Sequence, residues 1–292
     1  MQVVISILRS KNHNGLFKID LDSNTIVDSL ICTKHNVPIP EEEAELFYGI
    51  KGITIHNGLI YCATCRSILS SADFVNVNPV AINIGAAIHQ IDYISHGLAY
   101  CSTDDNVVRY LDNDKPIFLY NGFSGIGIDI NHINSLYETD DDIYFTYHNN
   151  VYAEPGMICS MNKGIIVRNL DKPHNVCVNH KNEIFVCDSY NLSVSKYDNQ
   201  GKLIISSPKL NGYTRGLAIN LDGIMVVGSS KRETQMPSIT VLDDKFKIQK
   251  ELLLHMIDNS FTGEIYDIRI ISEVDLGLSA NFKLWGKPRT KK

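Results

Sequence analysis

The chain of 292 residues has no run of about 18 apolar residues, so no stretch of it is long enough to cross a bilayer as a helix. Its first residues, Met1-Gln-Val-Val-Ile-Ser-Ile-Leu-Arg9, lack the basic lead and the long apolar stretch of a secretory signal and instead suit a strand. Positive charge is in deficit. With 27 Lys and Arg against 33 Asp and Glu, the formal charge is −6, which offers no general attraction to nucleic acid or to an anionic membrane. The basic stretch Lys287-Pro-Arg-Thr-Lys-Lys292 is a local exception, and tryptophan occurs once, as Trp285. Seven cysteines (Cys32, Cys62, Cys65, Cys101, Cys159, Cys177, Cys187) make an odd set. Several sit within apolar patterns such as Ile184-Phe-Val-Cys187, as expected of buried free thiols in a reducing cytoplasm. A hydrophobic content of 44% with 21% charged residues is that of a folded chain with a substantial core.

Short strand patterns separated by turn signals are what the chain does have. From His174 to Ile204 a strand ends in polar residues, Lys181-Asn182 make a turn, and Ile184-Phe185-Val186 form a second strand. A third alternates through Val194 and Lys196, and Gly201 opens a fourth. Laid on Ile184-Phe185-Val186, the segments Leu59–Cys62, Leu98–Cys101, Ile143–Phe145 and Ile224–Val226 match, each behind a short turn such as Asn57-Gly58 or Asp222-Gly223. Before each turn lies another strand, beginning near Gly52, Gln90, Asn134, Asn175 and Gly216, at intervals of about 40 residues. A sixth such strand, Tyr266–Ile271, stands near the C-terminus with no blade after it. The N-terminal strands Val3–Leu8, Gly15–Ile19 and Asn24–Val27 supply the blade it lacks. The expected fold is therefore all-β: a six-bladed β-propeller over residues 1–286, closed by a C-terminal inner strand, with 287–292 as a basic tail.

The unit from Val176 to Gly201 resembles an NHL repeat, whose pattern runs through an Ile-Tyr-Val strand, an Ala-Asp step, a basic-Ile-x-Val strand and a closing Asp-x-Gly turn. The likeness is weaker over Tyr213 to Lys250. It implies the fold, and the six-bladed relatives it points to include scaffolds, carbohydrate and RNA binders, lactonases, esterases and lyases.

In such a fold the loops entering the inner strands share one face, where ligands collect. The residues at these mouths are Lys51, Gln90, Asn134, Asn175, Arg215 and Asp267, with His89, His132, His174 and Tyr266 beside them. Polar strand starts bordering a water-filled channel account for part of this ring. Gluconolactonase-like propellers, similar in general plan, hold a divalent cation with acidic and amide oxygens. A mouth with Lys51, Arg215 and a single carboxylate instead favours an anion, with Arg215 gripping two oxygens, Lys51 as a point charge, and Gln90, Asn134 and Asn175 reading hydroxyls or peptide groups. For catalysis, His174 or His89 would serve as base or acid beside Tyr266 and Asp267. No cofactor is expected; the alternative is a Zn²⁺ or Fe²⁺ site made by His89, His132 and His174.

Other strings carry less. Cys62-Ala-Thr-Cys65 has metal spacing but no second pair, and reads as a core thiol plus a turn residue. Gly122-Phe-Ser-Gly-Ile-Gly127 lacks the strand-turn-helix context of a nucleotide loop. Long insertions at 34–48, where Glu41-Glu-Glu-Ala-Glu45 suggests a short helix or an acidic lip, and at 147–156 and 259–264 are where a rigid scaffold would carry function.

Two functions fit. One is a monomer binding a small anionic or polyhydroxylated ligand (sugar acid, glycan or peptide terminus), with hydrolase, lyase or epimerase activity. The alternative is a non-catalytic module for a protein partner, which would show exposed aromatics on one face, with Trp285 as a candidate. Neither nucleic acid nor membrane is an expected partner.

Overall fold

The computed structural model describes residues 1–45, 47–85, 87–112, 116–119, 129–148, 155–231, 233–234, 236–273 and 275, without the side chains of 118 and 119. The loop 122–127, residues 149 and 150, Trp285 and the tail 287–292 lie outside them.

Local chemistry sets the repeat. Asn179 turns the chain by accepting from the Lys181 and Glu183 amides, both at 3.0 Å, and Asn182 sits in the left-handed region with φ 59°. Asn220 does the same for the Asp222 and Ile224 amides, and Asp198 and Asp243 repeat the device at the outer hairpins of their blades. Between these turns lie Pro173–Val178, Ile184–Asp188, Ser193–Tyr197 and Leu203–Ser206, which pair in that order from the inside outward. The inner two strands are buried on both faces because a neighbouring blade covers each, whereas Leu203 and Ile204 on the outermost strand are half exposed.

Six such four-stranded antiparallel sheets form the fold. We number the blades from the N-terminus. Their inner strands are Glu264–Ile270 (blade 1), Ile53–His56 (2), Ile88–Ile94 (3), Ile133–Glu138 (4), Pro173–Val178 (5) and Tyr213–Ile219 (6). Each touches the next around the ring, including Glu264–Ile270 against Ile53–His56. The chain is a six-bladed β-propeller closed as the sequence predicts: Gln2–Leu8 pairs with Glu264–Ile270, Val3 opposite Ile270 and Leu8 opposite Glu264. Both termini thus share blade 1, and no inner sheet edge is left to pair with another chain. Apolar layers fill the seams, as where Val3, Ile5 and Phe17 of blade 1 meet Val226 and Ile239 of blade 6.

The inner strands begin earlier than their alternation indicates: at Ile88 instead of Gln90, Pro173 instead of Asn175, and Tyr213 instead of Gly216. A bulge is the reason. Each of these strands carries one residue more than its partner, between Ile88 and Ile91, His174 and Cys177, and Thr214 and Leu217, and the same occurs between Ile133 and Ser135 and between Ile265 and Asp267. In blade 2 the equivalent is Lys51 and Gly52, which both bond the backbone of Ala63 just ahead of the strand. All seven cysteines are free thiols, and Cys65 alone among them is not fully buried. No helix among the described residues is long and apolar enough to cross a membrane.

Candidate functional site

The bulges place two consecutive residues of each inner strand near the axis with different tasks. The second of each pair ties one blade to another. In blade 3, Gln90 Oε1 accepts from the Leu136 amide of blade 4 at 2.9 Å, and Asn134 Nδ2 of blade 4 donates to the Pro173 carbonyl of blade 5 at 2.9 Å. Asn175 Oδ1 of blade 5 accepts from the Gly216 amide of blade 6 at 2.8 Å. Asp267 of blade 1 accepts from the Ile53 amide of blade 2 at 3.0 Å and from Asn175 Nδ2 at 3.1 Å. At Gly52 the next blade is so close that a Cβ would lie 2.6 Å from the Gln90 Cα, and its amide bonds the His89 carbonyl directly. Four of the residues expected at the ligand, Gln90, Asn134, Asn175 and Asp267, therefore have their polar atoms engaged between blades, and none of them lines the cavity at the mouth.

In blades 1, 2, 3 and 6 the first residue of the pair faces that cavity, which has a volume of about 390 Å³, whereas Ile133 of blade 4 is packed in the core. Lys51, His89, Arg215 and Tyr266 line it as expected; His174 lies just behind, with Nε2 3.0 Å from Arg215 Nη2. His132, which precedes the blade 4 pair, is on the wall too. The rest of the wall includes residues that the mouths of the inner strands did not indicate. Arg9, Cys65 and His148 follow the second strands of blades 1, 2 and 4. Antiparallel pairing puts the end of each second strand beside the start of its inner strand, and that signal was available in the repeat. Tyr48, at the end of the 34–48 insertion, is also on the wall. That insertion forms a short helix, Glu41–Ala44, anchored by buried Glu43, which receives Thr64 Oγ1, Ser67 Oγ and the Arg66 amide.

Positive charge dominates the cavity. Its described wall holds Arg9, Lys51, Lys172 and Arg215 and no carboxylate. Arg9 is paired with Glu264 at 2.9 Å, but among the described residues neither Lys51 nor Lys172 meets a carboxylate. Lys172 stands 4.7 Å over the Tyr190 ring. Arg215 is wedged between aromatic faces, 4.4 Å from the Tyr266 ring and 5.4 Å from the Tyr213 ring. Its Nε is buried and has no partner among the described residues, and neither has the Tyr266 hydroxyl. Burial draws the Lys51 ammonium down from its ordinary value, and the Arg215 charge adds to this.

His89 and His174 are neutral and held in one orientation. His89 Nδ1 lies 2.9 Å from the Ala87 carbonyl and 2.8 Å from Thr103 Oγ1, whose own hydroxyl donates to the Ile133 carbonyl of the next blade. Two blades on, His174 Nδ1 lies 2.9 Å from the Lys172 carbonyl and 2.9 Å from Ser189 Oγ, which donates to the Thr214 carbonyl. Each Nδ1 therefore carries the proton; His89 Nε2 offers its lone pair to the cavity, and His174 Nε2 accepts from Arg215 Nη2 at 3.0 Å. Burial depresses both imidazoles well below the usual range; His132, Lys51 and Arg215 add to this at His89, and Arg215 and His148 at His174. Burial pushes the Tyr266 phenol upward, so it stays protonated and can donate. The site can thus grip an anion and present neutral imidazoles and a phenol to it.

Comparison with solved structures gives the same architecture. A putative gluconolactonase is 11% identical over 75% of this chain and 80% of that one, with a TM-score of 0.57. A protein from Bacteroides caccae of unknown function is 11% identical over 93% of this chain and 99% of that one, with a TM-score of 0.63. A calcium-binding protein, regucalcin, from Agrobacterium tumefaciens is 11% identical over 69% of this chain and 73% of that one, with a TM-score of 0.53. The likeness is one of fold. No protein-family model matches the sequence, and no curated protein does.

Proposed function

We propose that the channel mouth binds a small, anionic, polyhydroxylated molecule such as a sugar acid and acts on it by proton transfer. The observation that carries this is the cavity wall, where Lys51, Lys172 and Arg215 converge with no carboxylate among the described lining residues. Arg215 offers its fork to two oxygens of a carboxylate or phosphate while Lys51 supplies charge from blade 2, across the mouth of blade 1. Tyr48, 59% exposed at the rim, presents a ring face to the apolar side of a sugar. His89, with its Nε2 lone pair and its ring centroid 5.6 Å from that of Tyr266, is the base we assign. With Tyr266 as donor, the pair suits hydrolysis, elimination or epimerisation.

A thermal-shift panel of sugar acids, phosphosugars and neutral sugars tests this. Acidic members should raise the melting temperature of the wild type and their neutral analogues should not. Arg215→Ala should weaken the best binder roughly 10- to 100-fold, the loss of a charge-assisted pair, with Arg215→Lys between the two. Equal shifts by neutral sugars, or an unaffected Arg215→Ala, would rule the reading out.

A further inference from the structure

Three histidines beside the anion-binding wall form a group that this function does not use. A ring nitrogen from each of His132, His148 and His174 lies within 4.8 Å of the other two. They reach this point from separate elements: the turn into blade 4, where His132 has φ 52°, the end of the second strand of blade 4, and the bulge of blade 5. Ring centroids are 4.1 Å apart for His132 and His148 and 5.8 Å apart for His148 and His174.

We propose that His132, His148 and His174 bind one divalent transition-metal ion, Zn²⁺ before any other, through ring nitrogens facing the cavity. The surroundings of two of them support this. His174 gives its Nδ1 proton to the Lys172 carbonyl at 2.9 Å, and His132 turns its Nδ1 to the Asp129 carboxylate. A backbone carbonyl or a carboxylate on the far nitrogen is how a metal-binding imidazole is held in one tautomer with its other lone pair forward. Three imidazoles without an oxygen donor select Zn²⁺, Fe²⁺ or Cu²⁺ over Ca²⁺. This replaces His89 of the trio named from sequence with His148, because His148 directly follows the strand Ile143–Tyr147, whose end pairs beside the blade 4 turn.

Zn–N bonds of about 2.0–2.1 Å would draw the three nitrogens inward by small side-chain rotations. Arg215 Nη2, 3.0 Å from His174 Nε2, holds the lone pair that the ion needs. Metal and guanidinium therefore compete, and loading the ion turns Arg215 outward toward the anion. The fourth position of the ion is left to water or to an oxygen of the bound molecule, where the surrounding cations favour a negative donor.

The test uses metal alone and no organic ligand, so it is independent of whether an anion binds. Protein stripped with chelator is titrated with Zn²⁺ by calorimetry and with Co²⁺ by visible absorption. One ion per chain should bind, with the d–d bands of a four-coordinate Co²⁺. His148→Ala should lower affinity at least 100-fold, whereas His180→Ala on the exposed outer surface should leave it unchanged. If His148→Ala does not fold, Asp129→Asn gives the second reading, with a 10- to 100-fold loss expected from an orienting partner. No stoichiometric binding, or equal affinity in His148→Ala or in a folded Asp129→Asn, would overturn the proposal.

Discussion

Asp267→Ala should destabilise the fold by about 3–5 kcal/mol, the cost of removing one partner from a buried ion pair. Asp267 is 1% exposed, and its carboxylate receives four donors from three blades: the Ile53 amide, Asn175 Nδ2, the Ile268 amide and Arg269 Nη1 at 2.7 Å. Arg269, equally buried, already has Nε and Nη2 without partners among the described residues, so losing Asp267 removes its ion-pair partner and leaves the nearby charges of Asp275 and Asp92 to offset it only in part. Burial pushes the Asp267 carboxyl up, while Arg269 and the two amides draw it back. Asp267→Asn, which keeps an acceptor oxygen but not the charge, should fall between wild type and Ala. Guanidinium denaturation measures all three, and a loss under about 1 kcal/mol in Asp267→Ala would show that the hub is not holding the blades together.

The second large effect is a dependence on pH centred on Asp92. This residue is 1% exposed; Oδ1 accepts from Thr54 Oγ1 at 2.8 Å and Oδ2 has no partner among the described residues. Burial pushes its carboxyl up to about 7, against the pull of Arg269 and the Thr54 hydrogen bond. An unfolded Asp titrates near 3.9, so between about pH 4 and 7 the folded chain keeps a proton that the unfolded chain has released. Raising the pH through that window strips stability from the native state. Asp92→Asn cannot lose the proton. The stability of wild type minus that of Asp92→Asn should fall by about 2–3 kcal/mol from pH 5 to pH 8, at about 1.4 kcal/mol per pH unit up to pH 7. Urea denaturation at both pH values checks it, and a flat difference would mean that Asp92 titrates normally.

Much of the architecture was written in the turns. Asn179, Asn182 and Gly201 fix hairpins locally, and the same chemistry recurs at intervals, so blade count and closure by Tyr266–Ile271 followed from spacing alone. The site was legible only in part, and the reason is the bulge. Strict alternation assigns one channel-facing residue per strand, yet His89 and Gln90, and Tyr266 and Asp267, each split into a cavity residue and a cross-blade tie, and His174 and Asn175 into a residue just behind the cavity and a tie. One residue of offset therefore moved Gln90, Asn134, Asn175 and Asp267 from the expected ligand site into the framework. Lys51 and Arg215 escaped because glycine follows each of them, at Gly52 and Gly216, and left no competing side chain. Arg9 was missed, and His148, noticed only as part of the 147–156 insertion, was not placed at the mouth, for a different reason: pairing across the blade, invisible in any single strand, brings the second strand's end there.

The most direct test of an anion site at the channel mouth is to soak crystals in bromide and collect data near the bromine absorption edge. The account predicts the strongest anomalous peak inside the cavity, touching the Arg215 guanidinium and facing Lys51, whatever the natural ligand is. Bromide peaks on the outer surface with none in the cavity would contradict it.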